Sequence, residues 1–241
     1  MSPDPPHRRP GEQRRHELIN AAIDVFGEAG FAGARIDEVA RRVGIRRPSV
    51  LYHFPDKQAL YSASIEDVVV DIWQRIRSTE QVPGDRLEAI ADGWVDFVIE
   101  RPNAARLLLR QLIDADPLQI PAIDAPIRGL FEVIQRAIED RTGSATAKRL
   151  DATEFSLILS STSLVWVASR SAVEGALGLD TLSPQAVQRH RRTLHVLIRQ
   201  LLDAADGADE PAARTLARSP SRPDPESAPG LAGSRVGRQT P

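Results

Sequence analysis

The chain has 241 residues, a formal net charge of −2 and no cysteine, which excludes a disulfide framework, a thiolate metal site and a cysteine nucleophile. The first ten residues, MSPDPPHRRP, carry no apolar segment behind their arginines, and the longest apolar stretch, Leu164 to Ala168, falls far short of a membrane span of ~20 residues. A soluble cytoplasmic protein with no membrane partner is therefore expected, long enough to bury a sizeable core.

Apolar residues recur at helical spacing almost throughout, and strand alternation is nearly absent. The first predicted helix runs from about Glu12 to Ala29, with Leu18, Ile19, Ala22, Val25 and Phe26 as its inner stripe and Gly30 ending it. Ile36 to Val43 forms a second short helix broken by Gly44, and Pro48 to His53 a third. Phe54 precedes Pro55 and is pushed out of the helical region, so Asp56 caps a fourth helix reaching about Arg77. Further helices are predicted near 85–100, 103–114, 124–141, 152–177 and 183–204, punctuated by proline and glycine. About nine helices with short connections give an all-α fold. From about residue 205 the composition turns to Pro, Ala, Ser, Gly and Arg, which cannot bury enough apolar surface to offset its ordering entropy.

Charge is unevenly distributed. Residues 1–60 carry ten basic and eight acidic side chains, whereas residues 61–204 carry sixteen and twenty. Within 41–57 five basic residues face one acidic residue, so positive charge is concentrated beside the second and third helices. Two short helices joined at a glycine are the arrangement of a helix-turn-helix. Ala40 is small where the helices would cross, Gly44 permits the tight turn, and Val39, Val43, Ile45 and Val50 fall where a shared core is needed. Arg46, Arg47, Ser49, Tyr52 and His53 lie on or beside the third helix, and such side chains suit phosphate and base-edge contacts in a major groove.

These residues resemble the TetR family of bacterial transcriptional regulators. The resemblance rests on Gly30-Phe31, the run Ile36-Asp37-Glu38-Val39-Ala40, Gly44-Ile45, and Tyr52-His53-Phe54 followed by Lys57 and Leu60. It covers the N-terminal quarter of the chain. It implies that the third helix reads the major groove, that Tyr52 holds a backbone phosphate, and that Lys57 holds another where a helix N-terminus already favours an anion. It also implies a homodimer bound to palindromic operator DNA, repression, and release by a small-molecule effector. Three positions depart from the family pattern. Arg35 replaces a capping threonine, leaving Glu38 to reach back as the other half of a capping box, while Arg35 itself gains reach toward a phosphate. Arg46 replaces a common serine, and Leu51 replaces the first of an aromatic pair.

The expected organisation is a flexible N-terminus over 1–7, a helix-turn-helix DNA-binding domain over 8–57, a larger helical ligand-binding and dimerisation domain over 58–204, and a disordered tail over 205–241. The candidate DNA-binding residues are Arg35, Arg46, Arg47, Ser49, Tyr52, His53 and Lys57. The last two long helices are the candidate dimer surface, with an internal core stripe as the other reading. Arg106, Arg110 and Arg170 are candidate anchors for an anionic ligand, but a solvated surface explains them better, and no ligand-binding residue is assigned. His190 and His195 lack the spacing of a helical zinc pair and are read as part of a solvated face. No catalytic or nucleotide-binding fingerprint occurs, so neither an enzyme nor a cofactor is expected. The rival reading is an all-α small-molecule carrier or enzyme whose N-terminal helices are structural.

Overall fold

A computed structural model describes residues 10–81, 84–113, 120–142 and 151–207. Among them there are ten α-helices and no strand. They are α1 (Pro10–Gly33), α2 (Ile36–Val43), α3 (Arg47–His53), α4 (Lys57–Ser78), α5 (Arg86–Glu100), α6 (Pro102–Ile113), α7 (Asp124–Thr142), α8 (Ala152–Ala168), α9 (Arg170–Leu177) and α10 (Pro184–Gly207). The expected flexible N-terminus and residues 208–241 of the expected tail lie outside the described residues. None of the described helices is long and apolar enough to cross a membrane.

Local chemistry places the boundaries. Asp56 accepts the Ala59 N–H at 2.7 Å, and Asp85 accepts the N–H groups of Leu87 and Glu88, so α4 and α5 begin at capping aspartates. Pro102 starts α6, where a missing N–H costs nothing, after Arg101 has left the helical region. Gly30 interrupts α1 where the sequence places the helix end. It breaks the helical path with φ 70°, and one further turn follows to Gly33. The single helix expected over 152–177 is divided at Ser169, whose hydroxyl donates to the Trp166 carbonyl at 3.1 Å. At the other end α10 extends to Gly207, past the predicted stop.

One hydrophobic core runs from Leu18 in α1 to Leu202 in α10. α1 packs along α4 and α6, so side chains on both sides of residue 57 share that core. The α1–α6 crossing is close: a Cβ on Gly27 would lie 2.3 Å from the Asn103 carbonyl oxygen, and the Asn103 amide donates to Asp24 at 2.9 Å. An ionic cluster lies beside it. Arg101 donates to Asp71 at 2.7 Å and to Asp67 at 3.0 Å, and Arg75 donates to Asp71 at 2.8 Å. Burial works to raise the Asp71 carboxyl, but the Arg101 and Arg75 guanidiniums outweigh it and hold the group below its ordinary range.

The last helix is joined to α5 by a ladder of charges. Arg191 bonds Asp92 at 3.1 Å and also Asp96, His195 lies 3.1 Å from Asp92, and Arg199 donates to Glu88 at 2.7 Å. His190 and His195 are thus not on a solvated face, because α5 and α8 cover them. His190 stacks on Trp166 with ring centroids 4.3 Å apart, and its Nε2 makes a 3.1 Å hydrogen bond with Ser163 Oγ. Burial, aided by the neighbouring Arg191 charge, holds the His190 pKa below its ordinary 6.5. A group depressed in this way contributes stability that is complete above 6.5 and is lost as pH falls through the folded value. Urea midpoints measured from pH 8 to pH 5 should therefore fall more steeply for the wild type than for His190→Gln. Parallel curves would remove His190 from the pH dependence.

Candidate nucleic-acid interface

The turn between α2 and α3 is built on Gly44, which sits in the left-handed region with φ 72° and ψ 31°. Its N–H donates to the Arg41 carbonyl at 3.2 Å and the Ile45 N–H to the Ala40 carbonyl at 3.0 Å, closing α2 in the manner of a Schellman motif. Val39, Ala40 and Val50 are buried between the two helices, and Ile36, Val43 and Ile45 pack on the same core. α3 starts at Arg47, one residue before the expected Pro48, and Arg46 flanks it in extended backbone. Phe54 is buried with φ −136°, as its position before Pro55 requires, and the Arg15 guanidinium lies over its ring at 5.1 Å.

The helix-turn-helix separates its charged side chains into two groups. Arg41 and Arg42 are committed internally. Arg41 donates to Glu38 at 2.6 and 2.8 Å, and Arg42 bridges Glu38 at 3.1 Å and Glu28 of α1 at 2.6 Å. These bonds hold the Glu38 carboxyl down to about 2 and lower Glu28, with the Arg42 bond as its largest cause. The capping box expected at α2 does not form, because the Glu38 carboxylate is occupied by these guanidiniums and Arg35 offers no side-chain cap.

The second group is turned outward. Arg35, Arg46, Ser49 and Tyr52 are exposed, Tyr52 at 87%. Among the described residues Arg35 and Arg46 meet no carboxylate, and the Tyr52 hydroxyl meets no hydrogen-bond partner. Arg47 reaches Asp37 only at 3.4 Å. His53 is half-buried with its ring against Tyr52 at 5.4 Å. Lys57 is at the start of α4 as expected, but its ammonium donates to the Ala32 carbonyl at 3.2 Å and lies over the Phe31 ring at 4.8 Å. It thereby ties α4 to the last turn of α1 and keeps only part of its donor capacity for another ligand. The α2–α3 unit thus presents a hydroxyl and a phenol on α3 and free guanidiniums at the entrances of α2 and α3, the donor set that an anionic polymer with groove-edge acceptors would engage. Among the described residues no group of three or more His, Asp or Glu could hold a metal ion.

The Glu28–Arg42 bridge was not legible in the sequence, because it joins residues 14 apart on different helices. Arg170, one of three candidate anion anchors, is spent on Asp180 at 2.9 Å, whereas Arg106 and Arg110 line a cleft beside Gly27 and Glu28.

Residues 18–63 match the family described as bacterial regulatory proteins, tetR family. The chain is 27% identical over 123 residues to the HTH-type transcriptional regulator RutR of Escherichia coli (strain K12), covering 49% of this chain and 57% of that one. It is 29% identical over 138 residues to the HTH-type transcriptional activator FasR of Mycolicibacterium smegmatis, covering 56% and 61%. The chain therefore spans little more than half the length of each of these relatives. A solved tetR-family transcriptional regulator from Streptomyces coelicolor shares the fold with a TM-score of 0.59 and 23% identity, over 86% of this chain and 87% of that one.

Proposed function

We propose that the chain, whose helix-turn-helix region matches the tetR family of bacterial regulatory proteins, is a transcriptional regulator that binds palindromic operator DNA as a homodimer, represses, and is released by a small molecule. Residues 8–57 carry the DNA contacts in this reading, and residues 58–204 carry the dimer surface and the ligand site. The observation that supports it most is the outward set of Arg35, Arg46, Ser49 and Tyr52, whose side chains meet no partner among the described residues while the neighbouring Arg41 and Arg42 do. Donors left free on and beside a recognition helix are available for phosphates and base edges.

The homodimer has a second support. One face of α8 exposes Leu157 (53%), Ser161, Val165 (54%) and Ala168 in succession, with no charge from 157 to 168. Small and apolar side chains along one helix face allow close approach by a copy of the same helix. A single module would read one half-site only, so the symmetry of the protein sets the symmetry of the operator.

Light scattering on the full chain tests this reading. The wild type is expected as a dimer that places two chains on one duplex, and Leu157→Glu with Val165→Glu should give monomers that bind DNA at least tenfold more weakly. A monomeric wild type that saturates a duplex at one chain would overturn the homodimer.

A further inference from the structure

The cleft at the end of α1 has a composition that the DNA contacts do not use. Its volume is about 480 Å³, within the ~300–1,000 Å³ of small-molecule sites. Gly27 and Glu28 form one side, α6 contributes Arg106, Leu109, Arg110 and Ile113, and the junction of α8 and α9 closes it with Ala168 and Ser171. Arg106 and Arg110 are one turn apart, so both guanidiniums face the same space. Among the described residues neither meets a carboxylate. Arg106 donates to the Asn103 side-chain oxygen at 3.0 Å and Arg110 to the Glu28 carbonyl at 3.5 Å. The one carboxylate in the wall, Glu28, is already bound by Arg42 at 2.6 and 3.1 Å. The wall therefore carries net positive charge. Leu109, Ala168 and Ile113, which is 70% exposed, give it apolar surface beside the two guanidiniums.

We propose that this cleft binds a small organic oxyanion with an apolar body, its carboxylate or phosphate held between Arg106 and Arg110 and its hydrocarbon part laid over Leu109, Ile113 and Ala168. Guanidinium forks match either headgroup, and two of them one turn apart supply the charge that a desolvated oxyanion needs. The apolar floor requires a hydrocarbon body, because a bare inorganic anion would leave it wet. The binding itself stands on this geometry, whereas its consequence rests on the ligand-responsive reading above. Glu28 belongs to both the cleft and the bridge to Arg42 of α2, so an anion arriving beside it acts on the helix-turn-helix through that bridge.

Titration calorimetry on the full chain with octanoate, octyl phosphate, octanol and acetate tests the proposal. Octanoate or octyl phosphate should bind at least tenfold more tightly than octanol, which lacks the charge, and than acetate, which lacks the body. The tighter of the first two identifies the headgroup. Arg106→Gln with Arg110→Gln should weaken that binding at least tenfold, and so should Ile113→Asn, an uncharged change at an exposed position that leaves both guanidiniums in place. Binding of neither amphiphilic anion, equal binding of octanol, or unchanged binding by these variants would overturn the proposal. Ligand-free binding to a duplex selected from a random library is measured on the same samples. Intact DNA binding without anion binding would remove the cleft alone. Anion binding without DNA binding would remove the regulator reading and leave the cleft standing.

Discussion

Gly27→Ala should destabilise the protein by about 3 kcal/mol, lowering Tm by roughly 6–12 °C for a chain of this size. The new Cβ would lie 2.3 Å from the Asn103 carbonyl oxygen and 2.9 Å from its carbon. These are backbone atoms at the start of α6, and no rotamer change relieves the overlap, so α1 and α6 must separate. That separation strains the Asn103–Asp24 hydrogen bond of 2.9 Å at the same crossing. Gly33→Ala is the control. Its Cβ would meet only Ala29 Cβ at 3.5 Å, an ordinary contact, and a methyl group at the end of α1 reduces the entropy of the unfolded chain. Calorimetric melting of the two variants should give a large loss for the first and no loss for the second. Equal Tm values would show that α1 and α6 are not in this close register.

Arg46→Ala and Tyr52→Phe should each weaken DNA binding by about 10-fold or more, the usual worth of a hydrogen bond to a charged group, and they should differ in salt dependence. Removing the Arg46 cation lowers by about one the number of counterions released, so the slope of log K against log salt should flatten by about 0.9. Tyr52 donates a neutral hydroxyl, so its loss should leave that slope unchanged. Arg41→Ala should cost much less than either, because its guanidinium is held by Glu38 at 2.6 and 2.8 Å. Fluorescence anisotropy at several salt concentrations separates the three. An Arg41 effect as large as that of Arg46 would mean that the internal pairing yields on DNA and that the two-group division of charge fails.

Much of this was legible in the sequence, and the misreadings have physical causes. Periodicity, Gly44 and the residues around Pro55 locate α2, the turn, α3 and the start of α4, because each feature acts within a few residues. Charge counting finds five basic residues in 41–57, but it cannot tell that Arg42 faces Glu28, which only tertiary packing brings near. Glu38 looks like half of a capping box, but Arg41 and Arg42, three and four residues on, compete locally for the same carboxylate and hold it. His190 reads as a surface residue among arginines because its cover, Trp166 and Ser163, comes from another helix. Lys57 has the right place for a phosphate contact, yet local sequence cannot reveal that the Ala32 carbonyl already takes one of its protons. The break at Ser169 follows no apolar pattern, and its hydroxyl bond alone does not account for it, because Ser156, Ser161 and Thr162 make the same kind of bond inside an unbroken α8.

Sequence-specific DNA binding through the outward side chains on and beside α3 is the proposal on which the others depend. Selection of bound duplexes from a random library by the full chain, at two salt concentrations and with excess nonspecific competitor, tests it most directly. Enrichment of a palindrome whose affinity falls with salt is expected, with loss of that enrichment in the variant carrying both Arg46→Ala and Tyr52→Phe. Failure to enrich any palindrome, or enrichment that survives both substitutions, would contradict it.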